Sequence, residues 1–193
     1  MKNFKPFGAL LIAGAMAFSL GSCKDKEKAA ENKPTGETLV NVYCSGPEYF
    51  TSKKHFRANA IGESLDQMTA KKKALSNARA QLAADIENTM KVVGDNYVKS
   101  SEFNNKEEIT ETFQEMARTV VDQQLQGLRT ICEKQTKTAE GKYKTYIAIE
   151  LSADELVGEY NERLSNDERL RADYNYEKFK ETFDKEMEKI AGQ

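Results

Sequence analysis

Thiols and an imidazole are the side chains of this sequence best suited to chemistry: Cys23, Cys44, Cys132 and the single histidine, His55. A structural or catalytic metal draws three or four His, Cys or carboxylate ligands together at short, characteristic spacings. His55 has no second histidine and no two cysteines stand at ligand spacing, so no metal ligand set is read. No glycine-rich phosphate loop opens a helix pattern, and no serine sits in a nucleophile-elbow sequence. Acidic residues abound, but they read as the solvated faces of amphipathic helices before they read as acid–base pairs. No catalytic residue and no non-covalent cofactor is therefore expected. The run Lys71-Lys72-Lys73 spreads over different faces of a helix and makes no coherent patch. With a formal charge of -2 and no long basic block, DNA and RNA are not expected partners.

Cys23 has a different chemistry. The stretch Leu20-Gly21-Ser22-Cys23 resembles a bacterial lipobox, in which small residues precede a cysteine at the end of an apolar run. The resemblance implies that Cys23 is thioether-linked to diacylglycerol, becomes the mature N-terminus after cleavage and is then N-acylated. Lys2 and Lys5 supply the positive start of a signal peptide, and Ala9 to Leu20 supply an apolar segment of about 12 residues. As a helix that segment would span roughly 18 Å against a hydrocarbon core of about 30 Å, so it is not expected to cross a membrane.

Removal of residues 1–22 would leave 171 of 193 residues and take the formal charge from -2 to -4. That length suits one domain. Residues 23–37 are expected to be a lipidated cysteine and a flexible tether, because Lys24 to Glu37 hold too few apolar groups to offset their ordering entropy. Cys23-Lys24-Asp25-Lys26-Glu27 resembles the lysine-plus-acidic export signal of surface lipoproteins of Bacteroidetes, except that Lys26 stands where that pattern has an acidic residue. The expected location is the outer membrane, with either the periplasmic or the cell-surface face open. Lys24 rather than an aspartate after Cys23 argues for that membrane.

Residues 38–193 are expected to form a single domain with a C-terminal helical extension. Leu39, Val40, Val42 and Tyr43 read as a first strand stopped by Ser45-Gly46-Pro47, and Phe56 to Ile61 as a second. Leu75, Ala78, Leu82, Ile86, Met90, Val93 and Tyr97 share one helix face, expected to start at Asp66 and fray near Gly94. A second helix, opened by Asn105 with Glu108, carries Ile109, Phe113, Met116, Val120 and Leu125 and ends near Gly127, folding back on the first. Leu128 to Thr138 and Lys142 to Leu151 then read as a β-hairpin around Glu140-Gly141, with a two- or three-residue loop both open. Ser152 with Glu155 and Ser165 with Glu168 match capping boxes for two more helices. The last has a stripe of Leu170, Tyr174, Phe179, Phe183, Met187 and Ile190, which needs cover from this domain or from a second copy. The expected class is α+β: a small antiparallel sheet of about four strands with a long helical hairpin on one side, then C-terminal helices.

Phe56-Arg57-Ala58 to Gly62, Ala74-Leu75, Asn77-Ala78-Arg79 and Leu82, with Ile131-Cys132-Glu133, Gly141-Lys142-Tyr143 and Ile147 to Glu150, together resemble the LPP20 family of bacterial lipoproteins. The resemblance implies a compact α/β unit similar to the N-terminal domain of FlgT and, more loosely, to dodecins; it carries no catalytic residues. The functional expectation is an anchored, non-catalytic structural or protein-interaction module of the cell envelope, bound to the membrane through its lipid and to other envelope proteins or to itself. The alternative is a lipoprotein holding a small apolar or aromatic ligand between helices and sheet. Once Cys23 is acylated, Cys44 and Cys132 remain; in an oxidising envelope they either bond, stapling the N-terminal strand to the sheet, or stay as buried thiols.

Overall fold

A computed structural model describes residue 36, residues 40–168, residue 170 and residues 173–192 of the chain. Two units divide it, Met1–Val40 and Asn41–Gln193, and the second holds the fold. The expected signal peptide, lipobox and tether lie outside the described residues, residue 36 apart.

Alternating side chains from His55 onward make a strand, β1 (His55–Ser64), that turns Phe56 and Ala58 into the core. A serine-leucine-aspartate step ends it, and the carboxylate of Asp66 accepts the Thr69 amide at 2.7 Å to open α1 (Gln67–Lys99). Below the helix lie β2 (Arg129–Lys137) and β3 (Tyr143–Ser152), reached through α2 (Lys106–Gln124) and a short 3-10 turn at Leu125–Gly127. Two helices, α3 (Ala153–Asn166) and α4 (Tyr176–Ala191), complete an α+β fold.

The sheet is antiparallel in the order β1-β3-β2, so β3 is central and its Thr145, Ile147, Ile149 and Leu151 are buried. Among the described residues three strands are present where about four were expected. Val40 to Val42 form no ladder because Cys44 takes a left-handed backbone (φ 58) and Pro47, without an amide hydrogen, opens a 3-10 turn at Pro47–Tyr49. Leu39 lies outside the described residues. The β2–β3 loop, open from the sequence, has three residues: Thr138 donates to the Lys142 carbonyl (2.8 Å) and Gly141 to the Thr138 carbonyl (3.0 Å), with Gly141 at φ 84. A register shift between Thr130 and Cys132 leaves Ile131 without a partner on β3.

Small residues decide how closely α1 approaches the sheet. Ala70, Ala74 and Ala78 are fully buried, and a Cβ added at Gly62 would lie 2.2 Å from the Ala70 carbonyl oxygen and 2.4 Å from the Ala74 amide nitrogen. Helix and strand backbones therefore touch. α1 does not fray at Gly94 but runs on to Lys99, because Gly94 is buried against Phe113 of α2 and the next turn must seat Tyr97. Gly94 thus lets the two helices approach, and α2 runs antiparallel to α1 as expected, with Ala117 and Val121 buried beside the expected Ile109, Phe113 and Val120.

The Ser165–Glu168 box does not open a helix. Ser165 Oγ bonds Asn161 instead (3.4 Å), α3 continues to Asn166, and α4 begins ten residues later, capped by the Asn175 side chain on the Lys178 amide (3.0 Å). Leu170 is buried in the connection, and Phe179, Phe183 and Met187 of α4 enter the same core, Phe183 edge-on to Phe56. The stripe of α4 is thus covered by its own domain.

Beyond the sheet, rings fill the space between helices. Tyr97 meets Phe103, Phe113, Tyr174 and Phe179 at centroid distances of 5.6–6.0 Å. Its hydroxyl accepts the Asn175 amide (2.8 Å), while Tyr160 donates to the Phe113 carbonyl (2.6 Å). Burial pushes the hydroxyl pKa of Tyr97, Tyr160 and Tyr174 up, the last two strongly.

Gly62→Ala is expected to cost about 1–3 kcal/mol or more in urea unfolding, whereas Gly158→Ala, where an added Cβ meets nothing within 4 Å, gains about 0.5–1 kcal/mol by helix propensity. A phenol held protonated by the fold contributes fully below its unfolded pKa of about 10 and loses that contribution as pH rises through its folded value. Alkaline titration is therefore expected to show Tyr97, Tyr160 and Tyr174 ionising only with loss of near-ultraviolet dichroism; ionisation of all eight tyrosines in a folded chain contradicts this.

Candidate interaction surface

The face of the sheet away from α1 is crossed by a strap, residues 41–51, that touches each strand in turn. On β2, Cys44 is bonded to Cys132 (S–S 2.07 Å, Cα–Cα 5.6 Å). On β3, the Tyr43 ring stands edge-on to Tyr146, with centroids 5.3 Å apart. On β1, the Arg57 guanidinium donates to the carbonyls of Glu48 (3.2 Å) and Phe50 (3.3 Å) and to the Glu150 carboxylate (3.0 Å) directly opposite on β3. Arg57 and Glu150 are mostly shielded from solvent, where a charge pair is held by its extra hydrogen bonds more than by Coulomb attraction alone.

Thr51 then finishes the edge of β1. Its hydroxyl accepts from the Arg57 amide (3.0 Å) and donates to the Arg57 carbonyl (3.2 Å), taking the place of a neighbouring strand. Further along, Asn77 donates to the Ile61 carbonyl and Lys73 to that of Glu63.

Beside the polar Asn41 and Glu48, large apolar groups stay outward on this face. Tyr43, Phe50 and Ile61 are 57%, 54% and 44% exposed, and Ile61 faces Tyr146 across the β1–β3 ladder. Beside them Val42, Tyr49, Cys132 and Lys134 help to line a cleft of about 410 Å³. Aromatic and aliphatic groups on a rigid sheet, rimmed by charge, are what a protein partner buries at the centre of an interface.

Of the residues singled out from the sequence, Leu20, Gly21, Ser22 and Cys23 lie outside the described residues, and Cys44 and Cys132 are joined on this face. His55 opens β1 opposite Ser152 and, with Arg129, Glu150 and Glu155, lines a separate polar cleft of about 130 Å³. Among the described residues no group of three or more His, Cys, Asp or Glu could hold a metal, and no helix is long and apolar enough to cross a membrane. Sequence reading missed Arg57, Thr51 and Glu150. The signal for the charge pair was their shared parity opposite Phe56 and Ile149; nothing local announces the role of Thr51.

No protein-family model matches this chain, and no curated protein does.

Cys44→Ser with Cys132→Ser opens a loop whose ends lie 88 residues apart, for which chain entropy predicts a loss of about 4–5 kcal/mol. Urea unfolding with and without reductant reads it. An unchanged midpoint in both comparisons counts against the bond as a staple.

Proposed function

We propose that this chain is a lipid-anchored, non-catalytic module of the bacterial outer membrane, of the LPP20 kind, that offers the strap-covered sheet face to another envelope protein or to a second copy. The anchor rests on Leu20-Gly21-Ser22-Cys23 after the apolar run from Ala9, and the kinship on the resembling residues between Phe56 and Leu151. The observation that carries the interaction reading is the strap itself: a cystine, an arginine bridge and a ring contact hold a short non-helical segment in place while Tyr43, Phe50 and Ile61 stay in solvent. Rigid apolar groups lose little entropy on binding.

The alternative of a ligand held between helices and sheet has no observation in its favour. That space is filled by Phe56, Leu82, Ile86, Ile147 and Ile149, all almost wholly buried.

Two measurements test the proposal. The mass of the protein extracted from membranes is expected to show cleavage before Cys23 and an acylated cysteine, and Cys23→Ser to abolish both along with envelope sedimentation. In intact cells a photo-crosslinking residue at Tyr43 or Ile61 is expected to trap a discrete adduct that the same residue at Glu111 does not. Free monomer alone from all three positions overturns the interaction reading.

A further inference from the structure

Charge is divided unevenly along the body. At the hairpin end, Lys71 to Lys73 of α1, spread over different faces of the helix, still each meet a group there: the Glu133 carboxylate, the Asp66 charge and the Glu63 carbonyl in turn. Lys134, Lys137, Lys142 and Lys144 stand on the two faces of the strands, and Glu63, Asp66, Glu133 and Glu140 are the carboxylates of this end. Ion pairs join Lys71 to Glu133 (2.9 Å), and Lys142 and Lys144 to Glu63 (2.9 and 3.5 Å). Among the described residues no ion pair engages Lys72, Lys134 or Lys137, and Lys137 sits 5.1 Å from the Tyr143 ring centre. The N-terminus of α1 adds positive dipole charge at this end. The helices beyond the sheet carry the opposite sign: Glu107, Glu108, Glu111 and Glu115 on α2, and Asp154, Glu155, Glu159 and Glu162 on α3.

Two apolar side chains stand out of the basic end. Leu65, between β1 and α1, and Met68, in the first turn of α1, are 74% and 58% exposed. Lysines around a pair of outward aliphatic groups match the two layers of an anionic bilayer surface, phosphates outside and acyl chains just beneath. An acidic protein surface would satisfy the lysines and leave Leu65 and Met68 unaccounted for. The covalent path agrees: the chain enters the body at Asn41, which lines the same cleft as Lys134. The expected tether, Lys24 to Glu37, would as a coil reach roughly 20 Å.

We propose that the hairpin end, Leu65 and Met68 with the surrounding lysines, lies on the anionic lipid surface of the membrane that holds the chain. This orientation rests on the anchored reading above for its proximity to lipid. It leaves the strap-covered face pointing sideways and the acidic helices away from the bilayer.

The test uses the processed, acylated protein with Leu65→Cys or Glu111→Cys carrying an environment-sensitive fluorophore, reconstituted in vesicles of phosphatidylethanolamine and phosphatidylglycerol that bear a nitroxide lipid. The expected result is at least about threefold stronger quenching at position 65 than at 111, collapsing in phosphatidylcholine vesicles or at about 0.5 M salt. Lys134→Glu with Lys137→Glu is expected to reduce the contrast similarly, with thermal unfolding confirming that the variant is folded. Equal quenching at both positions in protein that floats with the vesicles overturns the orientation and leaves the anchor standing, as does contrast that survives in neutral lipid or in the lysine variant. Protein that does not float at all overturns the anchored reading and the orientation with it.

Discussion

The contact on which this structure depends is the backbone-to-backbone approach of α1 and β1 at Gly62. A helix that rides on alanines sits closer to a sheet than one that rides on leucines, and at this distance there is no room for any Cβ between Gly62 and the Ala70 carbonyl. That closeness fixes the height of α1 over the sheet, and α1 in turn carries Leu82, Ile86, Met90 and Val93 toward the other helices. At its far end Gly94 repeats the device against Phe113, so one helix is held by glycines at two places, once in the partner strand and once in itself. The ring cluster around Tyr97 closes what those two approaches leave open, and its hydroxyl ties the start of α4 to α1 through Asn175.

The opposite face of the sheet is held by a different chemistry. Among the described residues no second layer of helix lies there, only residues 41–51, and so short a segment cannot bury enough apolar area to order itself. Covalent and charge-assisted links hold it instead, with the cystine at one edge, the Arg57 bridge at the other, and Tyr43 on Tyr146 between them. Cys44 is in a left-handed conformation uncommon for a residue with a Cβ, which persists only where the surroundings enforce it.

Period and caps made most of the fold legible. The β2–β3 hairpin, the Asp66 cap, the Ser152 cap and the α1 stripe from Ala78 to Tyr97 stand where residue pattern places them, because each is decided within a few residues. The misreadings share one cause, a tertiary contact overriding a local signal. Val40 to Tyr43 have strand propensity but pack by side chain and cystine instead of by ladder. Gly94 reads as a helix end until Phe113 is set against it, and Ser165 reads as a cap until Asn161 takes its hydroxyl. Of the candidate surface, the two cysteines were visible as a pair, while the Arg57 bridge depended on a strand register that one sequence leaves undetermined.

Edge protection narrows the kind of recognition open to the sheet. A three-stranded sheet has two edges, and an unguarded edge invites another chain to add a strand. Thr51 occupies both backbone groups of Arg57 on β1, while Asn77 and Lys73 take two carbonyls further along. On β2 the irregularity at Ile131 breaks the regular spacing of the strand, and Lys134 and Lys137 place charge along it. Strand addition would have to displace these groups or pair across them, and neither gains what a clean ladder gains. Side chains therefore remain the better readable feature of this face, and Tyr43, Phe50 and Ile61 are its largest exposed apolar ones. Under the proposed interaction reading, a partner would need a complementary surface of its own more than a free strand, and the strap would be the part of the chain that sets specificity.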